Sequence, residues 1–228
     1  MSENRNFFVH IIESPSAIDL LDERTEGRLL CEGFRLSGID SSYNLATNVK
    51  TLIMSLGSRL EREKSKFGKT PILHFSLHGD GMSVGLTDGS QVSWSQFAVL
   101  LATIRDFLET GILVCISSCF GFAGSDMPNI RGMPPFWAIV GPSGKVDWDD
   151  SAIAFMTFYH LFAKGHSLEV AVDAMKRASG NSDFQFKVRT NVQDGWLELQ
   201  RAFDQADLYQ LGQSLSQSYE QRTPPSAS

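Results

Sequence analysis

The chain is predicted to be an α/β protein, a three-layer α/β/α sandwich around a mostly parallel central sheet. Three observations carry this. Short apolar runs alternate with longer segments of helical apolar spacing, the two strongest runs each end in a loop-like, Gly-containing stretch, and 228 residues suffice for one large core. Strand, helix, strand at this spacing argues for parallel crossover units, whose ligands collect at the carboxyl ends of the strands.

Residues 7–12, β-branched and aromatic and closed by Ser14-Pro15, read as the first strand. A second, shorter strand is expected over residues 29–36. From 43 to 66, Leu45, Val49, Leu52, Leu56 and Leu60 recur at helical spacing, so an amphipathic helix entered through Asp40-Ser-Ser42 is expected. Residues 71–78 form the next strand. Asp88-Gly89 then marks a hairpin within 82–94. A helix over 95–109 buries Phe97, Leu100, Leu101, Ile104 and Leu108, and the strand 111–119 follows. Further on come a core strand at 136–140, helices at 151–164 and 167–179 with Gly180 closing the second, and a last strand at 184–188. Residues 191–211 are expected to be helical, with Trp196, Leu199, Phe203 and Leu208 on the packing side. Ser, Gln and Pro dominate beyond, so one domain is expected over 1–211 and a disordered tail over 212–228.

Charge is mildly acidic, 20 basic against 26 acidic side chains, with no basic block. That balance gives no support to nucleic-acid or anionic-membrane partners. Three cysteines without a CxxC indicate neither a disulfide framework nor a zinc knuckle. No cofactor or metal is indicated. With no apolar signal core behind the N-terminus and no run of membrane-span length, a soluble protein of the reducing cytoplasm is expected.

Chemistry concentrates at two strand ends. His78 is followed by Gly79-Asp80-Gly81, a turn signal, and Cys119 follows Ser117-Ser118 and precedes Phe-Gly-Phe-Ala-Gly. If both strands share a sheet, an imidazole and a thiol meet on one rim, and a neighbouring imidazole is the usual means of holding a thiol as thiolate near neutral pH. Cys31 and Cys115 read instead as small buried apolar residues. The expected chemistry is covalent acyl transfer. Cys119 attacks a carbonyl, His78 manages protons, and the backbone amides of Gly79 and Cys119 form the oxyanion hole. Asp80, between two glycines, reads as a turn residue and is left out of the dyad.

Other motifs fail on spacing. Gly141-Pro-Ser-Gly144-Lys145 lacks the first Gly and the final Ser or Thr of a phosphate loop. His74 and His78 are four apart, which on a strand separates them by roughly 13 Å, so they cannot share a metal.

The His-Gly after one apolar strand, and the Ser-Ser-Cys-Phe-Gly 41 positions further on after the next, resemble the caspase-like cysteine peptidases, especially the metacaspase and CHAT branches. The likeness extends through residues 135–141 and 154–161 and covers roughly 70–180. It implies a cysteine endopeptidase acting through a His78–Cys119 dyad, usually without a carboxylate third member, on a protein substrate. It further implies activation by a separate partner or by processing of the polar, Arg131-bearing segment 121–135, which is expected to be mobile, in a bacterial stress or antiviral-defence setting. Where metacaspases carry an acidic residue two places before the nucleophile this chain has Ser117, which leaves basic specificity open. The loop with Asp147, Trp148 and Asp149 is expected to contact substrate, with helix capping the competing role for the aspartates. The contrasting class is an inactive caspase-like scaffold that binds protein partners.

Overall fold

In a computed structural model the protein is described over residues 6–108 and 111–189. Eight strands are found there: β1 (Phe7–Ser14), β2 (Asp40–Leu45), β3 (Thr70–Gly79), β4 (Ser83–Gly85), β5 (Gln91–Ser93), β6 (Leu113–Ser117), β7 (Ala138–Pro142) and β8 (Phe184–Val188). The main sheet runs β2-β1-β3-β6-β7-β8, parallel throughout except for β8, and β4 and β5 form an antiparallel hairpin on the end of β3. Helices α1 (Ala17–Leu21), α2 (Glu26–Ser37), α3 (Val49–Met54), α4 (Leu60–Phe67), α5 (Trp94–Leu108), α6 (Trp148–Ala163) and α7 (Leu168–Ser179) complete the three layers. The α/β sandwich expected from the sequence is the fold observed.

Strand alternation divides the core in two. Phe8, Ile12, Leu73, Phe75, Leu77, Val114 and Ile116 pack with Leu52, Leu60, Phe97 and Leu101 of α3, α4 and α5 on one face. On the other, Val9, Ile11, Ile72, Leu113 and Cys115 pack with Leu30, Phe34, Phe155, Phe158 and Tyr159 of α2 and α6. The chain leaves β1 to form β2 on one side and returns to form β3 on the other. The carboxyl ends of β1 and β3 therefore flank a topological switch point, where a ligand crevice opens in such sheets.

Two expectations are corrected. Residues 29–36 are not a strand but lie within α2, because Leu30 and Phe34 sit one helical turn apart and are buried together while Leu29 and Leu36 face solvent. Gly38, in the left-handed conformation at φ 66°, closes that helix. Nor does the next helix begin at Tyr43. Asp40–Leu45 is the edge strand β2, its polar sequence carrying little strand signal but its backbone paired in register with Phe8 to Glu13. The helix starts after Asn48, whose side chain accepts from the Thr51 amide in a reciprocal capping box. Between α3 and α4 a widened π-turn, Ser55–Arg59, bends at Gly57, and the Ser55 carbonyl accepts from the buried ring of His10 (2.9 Å). Burial lowers that imidazole to a pKa of about 4, so it is neutral.

The segment 121–135 has local structure of its own. A 3₁₀ turn spans Gly121–Asp126, Met127 and Ile130 are buried, and Arg131-Gly132 forms a tight turn closed by an Ile130–Met133 bridge. The helix expected over 191–211 and the tail lie outside the described residues.

Candidate active site

Register brings the two strand ends together. β3 and β6 pair in parallel with His74 opposite Cys115 and Ser76 opposite Ser117, an offset of 41. The same offset separates His78 from Cys119 in the sequence, so both side chains belong to the neighbouring carboxyl ends of β3 and β6, beyond the last paired positions Ser76 and Ser117. β6 stops at Ser117, and Cys119 stands in the turn just beyond.

That turn is tightly fitted. A Cβ on Gly79 would lie 2.8 Å from the Cys119 carbonyl oxygen and 2.8 Å from Ser118 Oγ, so the strand ends abut only because position 79 has no side chain. Next to the thiol, Phe120 takes the left-handed conformation (φ 56°), uncommon for a bulky residue, and its amide donates to the Gly144 carbonyl at 2.8 Å.

The segment entering α6 touches both groups. Cys119 Sγ donates to the Val146 carbonyl (3.6 Å), and two residues on, the Trp148 ring stands perpendicular to His78 with centroids 5.5 Å apart. Among the described residues no hydrogen bond joins Cys119 to His78; the thiol points at Val146. Asp147 occupies the N-cap position of α6, yet its side chain makes no capping bond and is exposed. Asp149 and Asp150, in the first turn, complement the helix dipole. Asp80 accepts from the amides of Met82 (2.7 Å) and Ser83 (2.8 Å), the turn role its glycine neighbours suggested.

One contact was missed in the sequence. Asp19, in α1 directly after β1, places Oδ2 2.8 Å from His78 Nε2. Its side chain is 10% exposed, against 48% for His78. Ser16 Oγ donates to the same oxygen at 2.6 Å, and the Asp19 amide donates back to Ser16 Oγ in a capping box. Burial pushes the Asp19 carboxyl up, but the hydrogen bonds from Ser16 and His78 outweigh it and hold the group below its ordinary range. The only sequence signal was the Ser16-x-x-Asp19 capping pattern after Pro15. It announces a helix start, not a partner 59 residues away.

Beneath the rim lies a polar layer. Glu26 of α2, fully buried, accepts from Ser76 Oγ (2.6 Å) and from Ser117 Oγ, and Ser151 Oγ donates to Ser117 Oγ at 3.2 Å. Glu13 of β1 accepts from the Gly27 amide at 2.9 Å. Burial raises Glu26 to about 7, the serine hydroxyls opposing it, and burial likewise raises Glu13. Deeper still, His74 pairs with Tyr159 Oη (3.1 Å), and burial pushes the Cys115 thiol to about 12, which makes it chemically inert. Burial also raises Cys31. Among the described residues no group of three His, Cys, Asp or Glu side chains is disposed to hold a metal ion, and no helix is long and apolar enough to cross a membrane.

No protein-family model matches the chain, and no curated protein matches it in sequence.

Proposed function

We propose that the protein is a caspase-like cysteine endopeptidase that cuts a protein substrate. The reading is supported above all by the parallel pairing of β3 with β6, Ser76 opposite Ser117, which makes the strand ends that lead to His78 and Cys119 neighbours on one rim. In this mechanism His78 takes the Cys119 proton and the thiolate attacks the scissile carbonyl carbon. The amides of Gly79 and Cys119 receive the oxyanion, and the imidazolium returns its proton to the leaving amine. Water, deprotonated by His78, then releases the acyl group. Trp148 and Asp147, on the segment that faces both groups, contact the substrate. Activation by a separate partner, or by cutting within 121–135, belongs to the same reading. The Arg131 side chain, 77% exposed at a hairpin tip, is one accessible point in that segment.

The test is cleavage of a peptide library by the activated wild-type chain, Cys119→Ala and His78→Ala, with the activating partner or a cut within 121–135 supplied equally to all three and folding checked by circular dichroism. A loss of at least about 10²-fold in both variants is expected. Undiminished cleavage by folded Cys119→Ala contradicts the assignment. The contrasting reading, a scaffold that binds protein partners without cutting them, predicts a Cys119 no more reactive toward thiol probes than Cys31 or Cys115.

A further inference from the structure

We propose that Asp19 is a positioning residue, holding the His78 proton on Nε2 so that Nδ1 is left as the basic nitrogen for Cys119 to use. The inference rests on the peptidase reading and adds to it a third group supplied by α1.

Geometry decides the tautomer. Asp19 Oδ2 and His78 Nε2 are 2.8 Å apart, close enough that a proton must lie between them. An ionised carboxylate only accepts, and Asp19 is held in that state by donors from Ser16 and His78. The Ser16 amide is in donor geometry toward both Asp19 Oδ2 and His78 Nε2, at 3.2 Å each. Were Nε2 bare, it could accept from that amide, but its lone pair would then face the carboxylate lone pairs at 2.8 Å. The arrangement that satisfies every group has Nε2–H donating to Asp19 and the Ser16 amide donating to the carboxylate. Nδ1 then carries the free lone pair.

Position in the fold explains why this carboxylate can do the work. Asp19 is almost covered, its capping box with Ser16 fixes it to the first turn of α1, and α1 follows β1 after a two-residue link, at the switch point that β3 flanks from the other side. A buried, doubly anchored acceptor orients an imidazole far better than an exposed one, because it does not exchange the bond for water. The orienting group comes from α1, 59 residues before the imidazole it meets.

The test reads the tautomer directly. Long-range ¹H–¹⁵N correlation spectra of the full chain with ¹⁵N-labelled histidine, recorded at alkaline pH, are expected to show Nε2–H for His78 in the wild type. A wild-type Nδ1–H tautomer overturns the proposal without recourse to any variant. In Asp19→Asn the Nε2–H preference is expected to be lost, and alkylation of Cys119 by iodoacetamide at neutral pH to slow by on the order of tenfold to a hundredfold, with partial recovery in Asp19→Glu. Unchanged tautomer and alkylation in Asp19→Asn, while His78→Ala still slows Cys119, overturns the positioning role and leaves the dyad standing. If His78→Ala does not slow Cys119 either, the peptidase reading fails and the inference falls with it.

Discussion

The two faces of the central sheet use the same strands for opposite purposes. Under α3, α4 and α5, the alternating residues Leu73, Phe75 and Leu77 of β3 and Val114 and Ile116 of β6 build a dry apolar core. Under α2 and α6, the intervening positions are Ile72, His74, Ser76 and His78 on β3, and Leu113, Cys115 and Ser117 on β6, with Cys119 just past the strand end. Polarity on this face increases toward the carboxyl rim: first the His74–Tyr159 pair, then Glu26 among its serines, then His78 with Asp19. One face holds the sheet together while the other delivers groups to the rim, and a parallel pairing keeps both in step.

Breaking the dry face has the largest expected effect on stability. Phe75 is buried and meets the Phe97 ring at 4.8 Å, so Phe75→Ala is expected to cost about 3–5 kcal/mol in urea denaturation. A loss well under that range would mean that this face is not the principal core.

The polar face is sharpened by pH. Glu26 is raised to about 7 in the folded chain, so folding favours its protonated form. The stability linked to that proton is fully present below the ordinary glutamate range and is lost as pH rises through about 7. Glu13, Ser76, Ser117 and Ser151 face the group, and Glu13, also raised by burial, adds to the trend in the same direction. Glu26→Gln is therefore expected to flatten the fall in Tm between pH 5 and 8. An unchanged slope would place the titration elsewhere.

How much of this could be read from the chain depended on which face a residue served. The β3 and β6 runs, the hairpin at Asp88-Gly89 and the helix closed by Gly180 stood out because apolar pattern and turn chemistry agreed there. β2 was not legible because an edge strand of Asp, Ser and Asn is held by its neighbour's backbone rather than by its own propensity. α2 was misread because a stretch rich in leucine fits a strand until Gly38 and the Leu30–Phe34 spacing are weighed together. At the rim, His78 and Cys119 were visible as side chains ending strands. Asp19 and Glu26 were not, since each reaches its partner across the sheet from an element whose local sequence says only that a helix begins or continues.

The central claim is that the imidazole at the end of β3 governs the thiol at the end of β6, and the competition among the three cysteines tests it most directly. Brief labelling of the folded chain with iodoacetamide near pH 7, read residue by residue by mass spectrometry, is expected to mark Cys119 at least about tenfold faster than Cys31 and Cys115, with the advantage lost in His78→Ala. Equal, slow labelling of all three, or a fast Cys119 indifferent to His78, would contradict the account.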